Sequence, residues 1–282
     1  MKFTDDLSRI FTEEESNILV LGVPLGKHGR ESVKRLRKIS NYVEPFDIEK
    51  QKNLFYNIRI KDIGDVKLKN LSKKIKQIIS NKKIPLILGG GHLLSLYSFQ
   101  SFQNTKLIVF DAHADLKQEF DDEKIRNLDY IKGKKFNKKI NDATWLRRVF
   151  DNKTPEVMII GLRSCEENEF EFMKKNKIKY FTPNKMKNIK KEIEKFTKNS
   201  KIYISLDLDV FDPGIAPGVD QAEPNGINFK QFSEIINSIK GKIVGVDVNC
   251  LKPLKDNEIT EFLAIRSLFE IIGKISEHAG VA

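Results

Sequence analysis

The chain has 282 residues, with 50 basic and 39 acidic side chains that leave a formal net charge of +11. With 40% hydrophobic and 32% charged residues and 19 Phe, it has the composition of a globular protein, and its length suits one α/β domain over residues 1–282. Only 2 Cys exclude a disulfide framework and point to a reducing cytoplasm, the start carries no apolar signal segment, and runs such as 18–25 fall far short of the ~20 residues of a membrane span.

In chain order, short apolar runs predict strands over 17–23, 58–63, 85–88, 107–110, 157–160, 179–181, 202–208 and 242–248. Helical patterns lie between them over 68–81, 93–102, 142–150, 166–175, 184–199, 229–239 and 258–275. Continuous apolar strands are buried on both faces, so the alternation predicts a three-layer α/β/α sandwich around a mainly parallel sheet. Residues 117–141 are polar and irregular, the pattern of a long functional or mobile loop. Lysines are densest at 132–139 and 185–201. In the second stretch Met186, Ile189, Ile193 and Phe196 recur at helical spacing, which puts the lysines on a solvent face. Neither grouped base-reading side chains nor interleaved aromatics accompany them, so no specific nucleic-acid partner is expected.

Chemistry gathers at three strand ends. The first is Gly89-Gly90-Gly91-His92, where glycines permit a sharp turn at the carboxyl end of a strand. The second is Asp111-Ala112-His113-Ala114-Asp115, whose alternate residues share one side of an extended chain. The third runs from Ser205 through Asp207 and Asp209 to Asp212-Pro213. His92, Asp111, His113, Asp115, Asp207 and Asp209 make an oxygen-rich donor set with two imidazoles and no thiolate, which suits manganese better than a structural zinc cage. Four crowded carboxylates repel one another; two divalent cations would neutralise them and activate water at neutral pH. Asp212, before Pro213, reads as a turn residue. His28 and His278 lie outside these motifs and read as surface or structural residues.

At these motifs the sequence resembles the ureohydrolase family of arginase, agmatinase and formimidoylglutamase. Gly22-Val23-Pro24, 62–66, 143–149 and 161–164 echo that family more weakly, the last three in an agmatinase-like way. The resemblance implies an arginase-like fold and two Mn2+ ions. One would be held by His92, Asp111, Asp115 and Asp207, the other by Asp111, His113, Asp207 and Asp209, with Asp111 and Asp207 bridging and Asp115 also orienting the attacking water. It implies hydrolysis of a guanidino or amidine C–N bond in a small molecule, usually with release of urea, by a trimer or hexamer. Agmatinase-like activity is the leading expectation.

Two departures keep alternatives open. The family's Asp-x-x-Glu-x-x-Pro segment, whose Glu grips guanidinium, reads Asp247-Val248-Asn249-Cys250-Leu251-Lys252-Pro253. A neutral thiol cannot give the paired, charge-assisted hydrogen bonds of a carboxylate. Cys250 is therefore either a retuned substrate contact or a small buried hydrophobe. Asp142 stands where many relatives have a His; it is either a catalytic proton carrier or a helix N-cap. Asp220 joins Cys250 as a substrate-contact candidate, in a 219–226 loop unlike the Thr-rich loop of agmatinases. The triple glycine lends a formimidoylglutamase-like cast. The alternatives are thus a formimidoylglutamase-like or arginase-like substrate, or a metal-binding homologue without ureohydrolase activity.

Overall fold

A computed structural model describes residues 1–120 and 137–279, without the side chains of His278 and Ala279. The core is an eight-stranded sheet built from β1 (Ile18–Val23), β4 (Ile60–Asp65), β5 (Ile84–Gly89), β6 (Thr105–Phe110), β7 (Val157–Ile160), β8 (Lys179–Phe181), β9 (Lys201–Asp207) and β10 (Lys242–Asn249). The order across the sheet is β4-β1-β5-β10-β9-β6-β7-β8, and every pairing is parallel.

Alternate strand residues serve two apolar layers. Val20, Leu88, Phe110, Ile204 and Val248 pack beneath α2 (Gly29–Ile39), α7 (Ile189–Thr197), α8 (Phe229–Asn237) and α9 (Ile259–Ala279). Leu21, Ile87, Val109, Ile159 and Tyr203 face α3 (Leu68–Ser80), α4 (Leu94–Phe99), α5 (Trp145–Asn152) and α6 (Glu167–Lys175). Burying both faces explains the near-continuous apolar strands, each large side chain contributing ~1.5–3 kcal/mol. The expected α/β/α architecture is what forms. Among the described residues no helix is long and apolar enough to cross a membrane.

Several boundaries differ from expectation. The helix expected over 184–199 divides into a 3-10 turn at Pro183–Lys185 and α7, although Met186, Ile189, Ile193 and Phe196 still face the core. α1 (Asp5–Ile10), α2 and a short antiparallel pair, β2 (Phe46–Asp47) with β3 (Lys52–Asn53), were not expected. Of the polar 117–141 segment and the 132–139 lysine cluster, residues 121–136 lie outside the described residues. The described ends meet: the Phe120 N–H donates to the Lys138 carbonyl at 2.8 Å, and Asn141 Nδ2 donates to the Phe120 carbonyl at 3.3 Å.

The chain order creates the crevice. The connection from β5 to β6 leaves a gap that β10 and β9 later fill, so β5, β10, β9 and β6 become neighbours. Their carboxyl ends form the kind of switch region at which open parallel sheets bind ligands.

Candidate metal centre

The three strand-end motifs converge there. His92 follows β5 and is 1% exposed. Its Nδ1 lies 3.2 Å from Asp111 Oδ2, 3.1 Å from Asp115 Oδ2 and 3.2 Å from Asp207 Oδ2. On the other side, His113 Nδ1 is 2.8 Å from Asp209 Oδ2 and 3.5 Å from Asp111 Oδ1. All six expected ligand residues are thus brought into one cluster.

The backbone shapes this cluster. Asp111 Oδ1 accepts the His113 N–H at 2.6 Å, Asp207 Oδ1 accepts the Asp209 N–H at 2.9 Å, and Asp209 Oδ1 accepts the Ala112 N–H at 3.0 Å. Asp115 sits at φ 51°, an uncommon left-handed conformation for a residue with a Cβ. Trp145, fully buried at the start of α5, donates its indole N–H to Asp115 Oδ2 at 2.8 Å and lays its ring against His92 at 4.7 Å between centroids.

The electrostatics are those of anions pressed together. Burial, then repulsion from Asp111, raises the pKa of both Asp115 and Asp207. Burial, then repulsion from Asp207, pushes Asp209 up to about 6. Burial disfavours imidazolium at both histidines, but the adjacent carboxylates more than offset it. His92 is raised well above its usual value, and His113 to about 12. Every one of these shifts lets the cluster take up positive charge. Two buried polar atoms, His92 Nδ1 and Asp111 Oδ2, make no hydrogen bond. Nitrogen and oxygen donors unpaired in this way fit divalent cations. His92, Asp111 and Asp115 form one compact donor group, and Asp111, His113 and Asp209 form another.

A buried polar network stands behind His92. His92 Nε2 meets Ser205 Oγ at 2.9 Å, and Ser205 donates to Asp247 Oδ1 at 2.7 Å. Ser95, Tyr203 and Asn249 also donate to Asp247, at 2.9, 2.5 and 2.6 Å. Burial raises the pKa of Asp247, and the donors oppose the rise. Because Ser205 gives its own proton to Asp247, its Oγ is free to accept from His92 Nε2, which leaves Nδ1 as the ring atom facing the cluster. The sequence motifs contained Ser205 and Asp247 but gave neither a role. The helix-borne partner Ser95 had no motif to reveal it.

The other candidates line the rim. Asp142 opens a 3-10 turn but is not its N-cap; Asn141 fills that place in a capping box with Thr144. Instead, Asp142 Oδ1 accepts the N–H of Leu93 at 2.8 Å, and its Oδ2 lies so close to Gly91 that a Cβ there would sit 2.8 Å away. Asp142 is exposed as a residue, yet the protein packed around its carboxylate removes part of its hydration. That burial, with repulsion from Asp115 and Asp220, raises its pKa. Cys250 follows β10 at φ 65°, its N–H bound to the Gly90 carbonyl at 2.7 Å. Burial, then the charges of Asp207, Asp142 and Asp209, pushes its thiol well above the usual range. Asp220 is largely exposed, 3.2 Å from Lys252 Nζ and 3.7 Å from His28 Nε2. His28, read as a surface or structural residue, lies beside Asp220. Asp212 accepts the N–H groups of Gly214 at 2.9 Å and Gly226 at 3.1 Å, the turn role its Pro neighbour suggested.

Two further residues escaped the sequence reading. Glu223 Oε1 lies 3.8 Å from His113 Nε2. Arg163, after β7, donates to the carbonyls of Asp209 at 2.7 Å, Glu223 at 2.8 Å and Pro224 at 3.0 Å, fixing the loop that carries Asp220 and Glu223.

Comparison with known proteins agrees with this geometry. The arginase family matches residues 16–273. An uncharacterised 32.2 kDa protein of Methanothermus fervidus is 30% identical over 229 residues, covering 76% of this chain and 74% of that one. An agmatinase of Halalkalibacterium halodurans is 25% identical over 283 residues, 92% of each chain. The crystal structure of the agmatine ureohydrolase of Thermoplasma volcanium superposes with a TM-score of 0.83 at 25% identity, covering 99% of this chain and 95% of that one.

Proposed function

The chain belongs to the arginase family, and from that premise we propose that it hydrolyses a guanidino or amidine C–N bond in a small molecule, with agmatinase-like release of urea as the leading activity. The observation that carries this reading is the convergence of two histidines and four aspartates from the ends of three strands, β5, β6 and β9. His92, Asp111, Asp115 and Asp207 would hold one cation, and Asp111, His113, Asp207 and Asp209 the other. Two such ions, Mn2+ for so oxygen-rich a set, would supply Lewis acidity and water activation.

The remaining work falls to the chain's own groups. A water oxygen adds to the planar carbon, the C–N bond to the leaving amine breaks, and that amine takes a proton. Asp115, held by the Trp145 indole and raised in proton affinity, is placed to carry the proton. Asp142 is the second carrier, with Oδ1 fixed by Leu93 and Oδ2 beside Gly91. The carboxylates of Asp142 and Glu223 around the rim favour a cationic substrate, and Asp220, paired with Lys252, adds a further acceptor. The reading includes a reducing cytoplasm, which suits the free thiols of Cys165 and Cys250, and an assembly of three or six like subunits.

The test is a manganese-loaded preparation offered a panel of guanidino and amidine compounds, with urea, ammonia and free amine measured. No release from any member sinks the reading. A second reading, a metal-binding homologue without this activity, is favoured by Cys250 at the family's guanidinium-gripping position. Gain of agmatine or arginine hydrolysis in Cys250→Glu would argue for shifted specificity over lost activity.

A further inference from the structure

We propose that Cys250 is itself a metal ligand: its sulfur joins His92 Nδ1 and Asp207 in holding one cation, giving that position a preference for zinc, cobalt or iron(II) over manganese. The inference rests on the two-cation reading and changes the chemistry of one of its two positions. The Cys250 sulfur, a ring nitrogen of His92 and a carboxylate oxygen of Asp207 all lie within 4.8 Å of one another. An independent observation marks the same point: His92, 1% exposed, aims an Nδ1 without a hydrogen-bond partner into the cluster.

The backbone brings the sulfur there by construction. Asn249 pairs with Asp207 in the register between β10 and β9, so Cys250 is the next residue past the level of Asp207. The N–H bond to Gly90 then ties Cys250 to the turn that presents His92. Gly89 permits this approach, because a Cβ there would lie 2.1 Å from Asn249 Oδ1. The left-handed conformation at Cys250, uncommon outside Gly and Asn, is held by these contacts.

Nitrogen, oxygen and sulfur donors together suit zinc, cobalt and iron(II), whereas manganese prefers oxygen. On ligation the thiol releases its proton to solvent and a sulfur lone pair forms the bond to the cation; nothing is oxidised or reduced. The same sulfur would then be unavailable to grip substrate, which gives the departure from the family's Glu a chemical purpose.

The experiment uses the full chain loaded with cobalt(II). Sulfur ligation produces a near-ultraviolet sulfur-to-cobalt charge-transfer band beside the visible d–d bands. The band is expected in the wild type and in Cys165→Ser, where Cys250 is the only thiol left, and is lost in Cys250→Ser. In metal competition, the preference of Cys250→Ser for zinc over manganese should fall by roughly tenfold or more. Visible d–d bands from two bound cobalt ions without the near-ultraviolet band overturn the inference and leave the two-cation reading standing. Absence of bound cobalt overturns both. Because Cys165→Ser alone is decisive, the outcome does not depend on how well Cys250→Ser folds.

Discussion

The two histidines of the cluster are supported in opposite ways. His92 is sealed from solvent, and a chain of buried groups from Ser205 to Asp247 fixes its ring. The His113 side chain is 19% exposed, and its outer nitrogen lies 3.8 Å from Glu223 and makes no hydrogen bond among the described residues. One side is preorganised by a dry, paired network, which low dielectric makes strong; the other is shaped by a surface loop. A pair of cations held between these walls would have one tightly fixed partner and one more readily exchanged.

The largest effect is expected at Asp207, whose two oxygens serve His92 and the Asp209 backbone. Asp207→Asn should lower hydrolysis by about 10³-fold, measured as urea or amine release, with metal content falling at both positions. If only one position empties, the assignment of Asp207 to both is wrong. Next comes Asp247→Ala, which leaves Ser95, Tyr203, Ser205 and Asn249 without their shared acceptor. A loss of ~3–5 kcal/mol is expected in urea unfolding, with metal affinity weakened about 10–100-fold.

A pH effect should follow from Asp209, whose carboxyl is pushed up to about 6 in the folded chain. A raised carboxyl pKa means the metal-free fold binds this proton more tightly than the unfolded chain does. That contribution is present at low pH and is lost as pH rises through about 6. In chelator-treated protein, Asp209→Asn should therefore flatten the pH dependence of the urea midpoint across that window; an unchanged profile would remove Asp209 as its source. The smallest effect is expected at Glu223→Ala, with metal affinity on the His113 side falling less than about tenfold. A loss equal to that of Asp247→Ala would erase the contrast between the two walls.

Sequence and structure meet most closely at the strand ends. There the spacing in 111–115 and 207–209 marks the ligand candidates without coordinates, although the strands stop at Phe110 and Asp207: a 3-10 turn carries Asp209 and a left-handed residue carries Asp115, so turns rather than the expected strand alternation bring them together. The network behind His92 was hidden because Ser95 and Asp247 are 152 residues apart and a serine on a helix carries no signal of its own. α2 escaped notice because basic residues surround Val33, Leu36 and Ile39, diluting the apolar stripe that buries it. Asp142 shows a third kind of limit. Its carboxylate caps the entry to α4, a helix other than the one it precedes, and only tertiary structure reveals that pairing.

Arg163 has a consequence for how such a protein can diversify. Its guanidinium grips the loop after β9 through main-chain oxygens, which every amino acid supplies. The course of that loop is thereby insulated from much of its own side-chain content. Substitutions at Gln221, Ala222 or Glu223 can alter what the rim offers a substrate while the path of the loop persists. Substrate preference and scaffold integrity are in this way assigned to different atoms of the same residues.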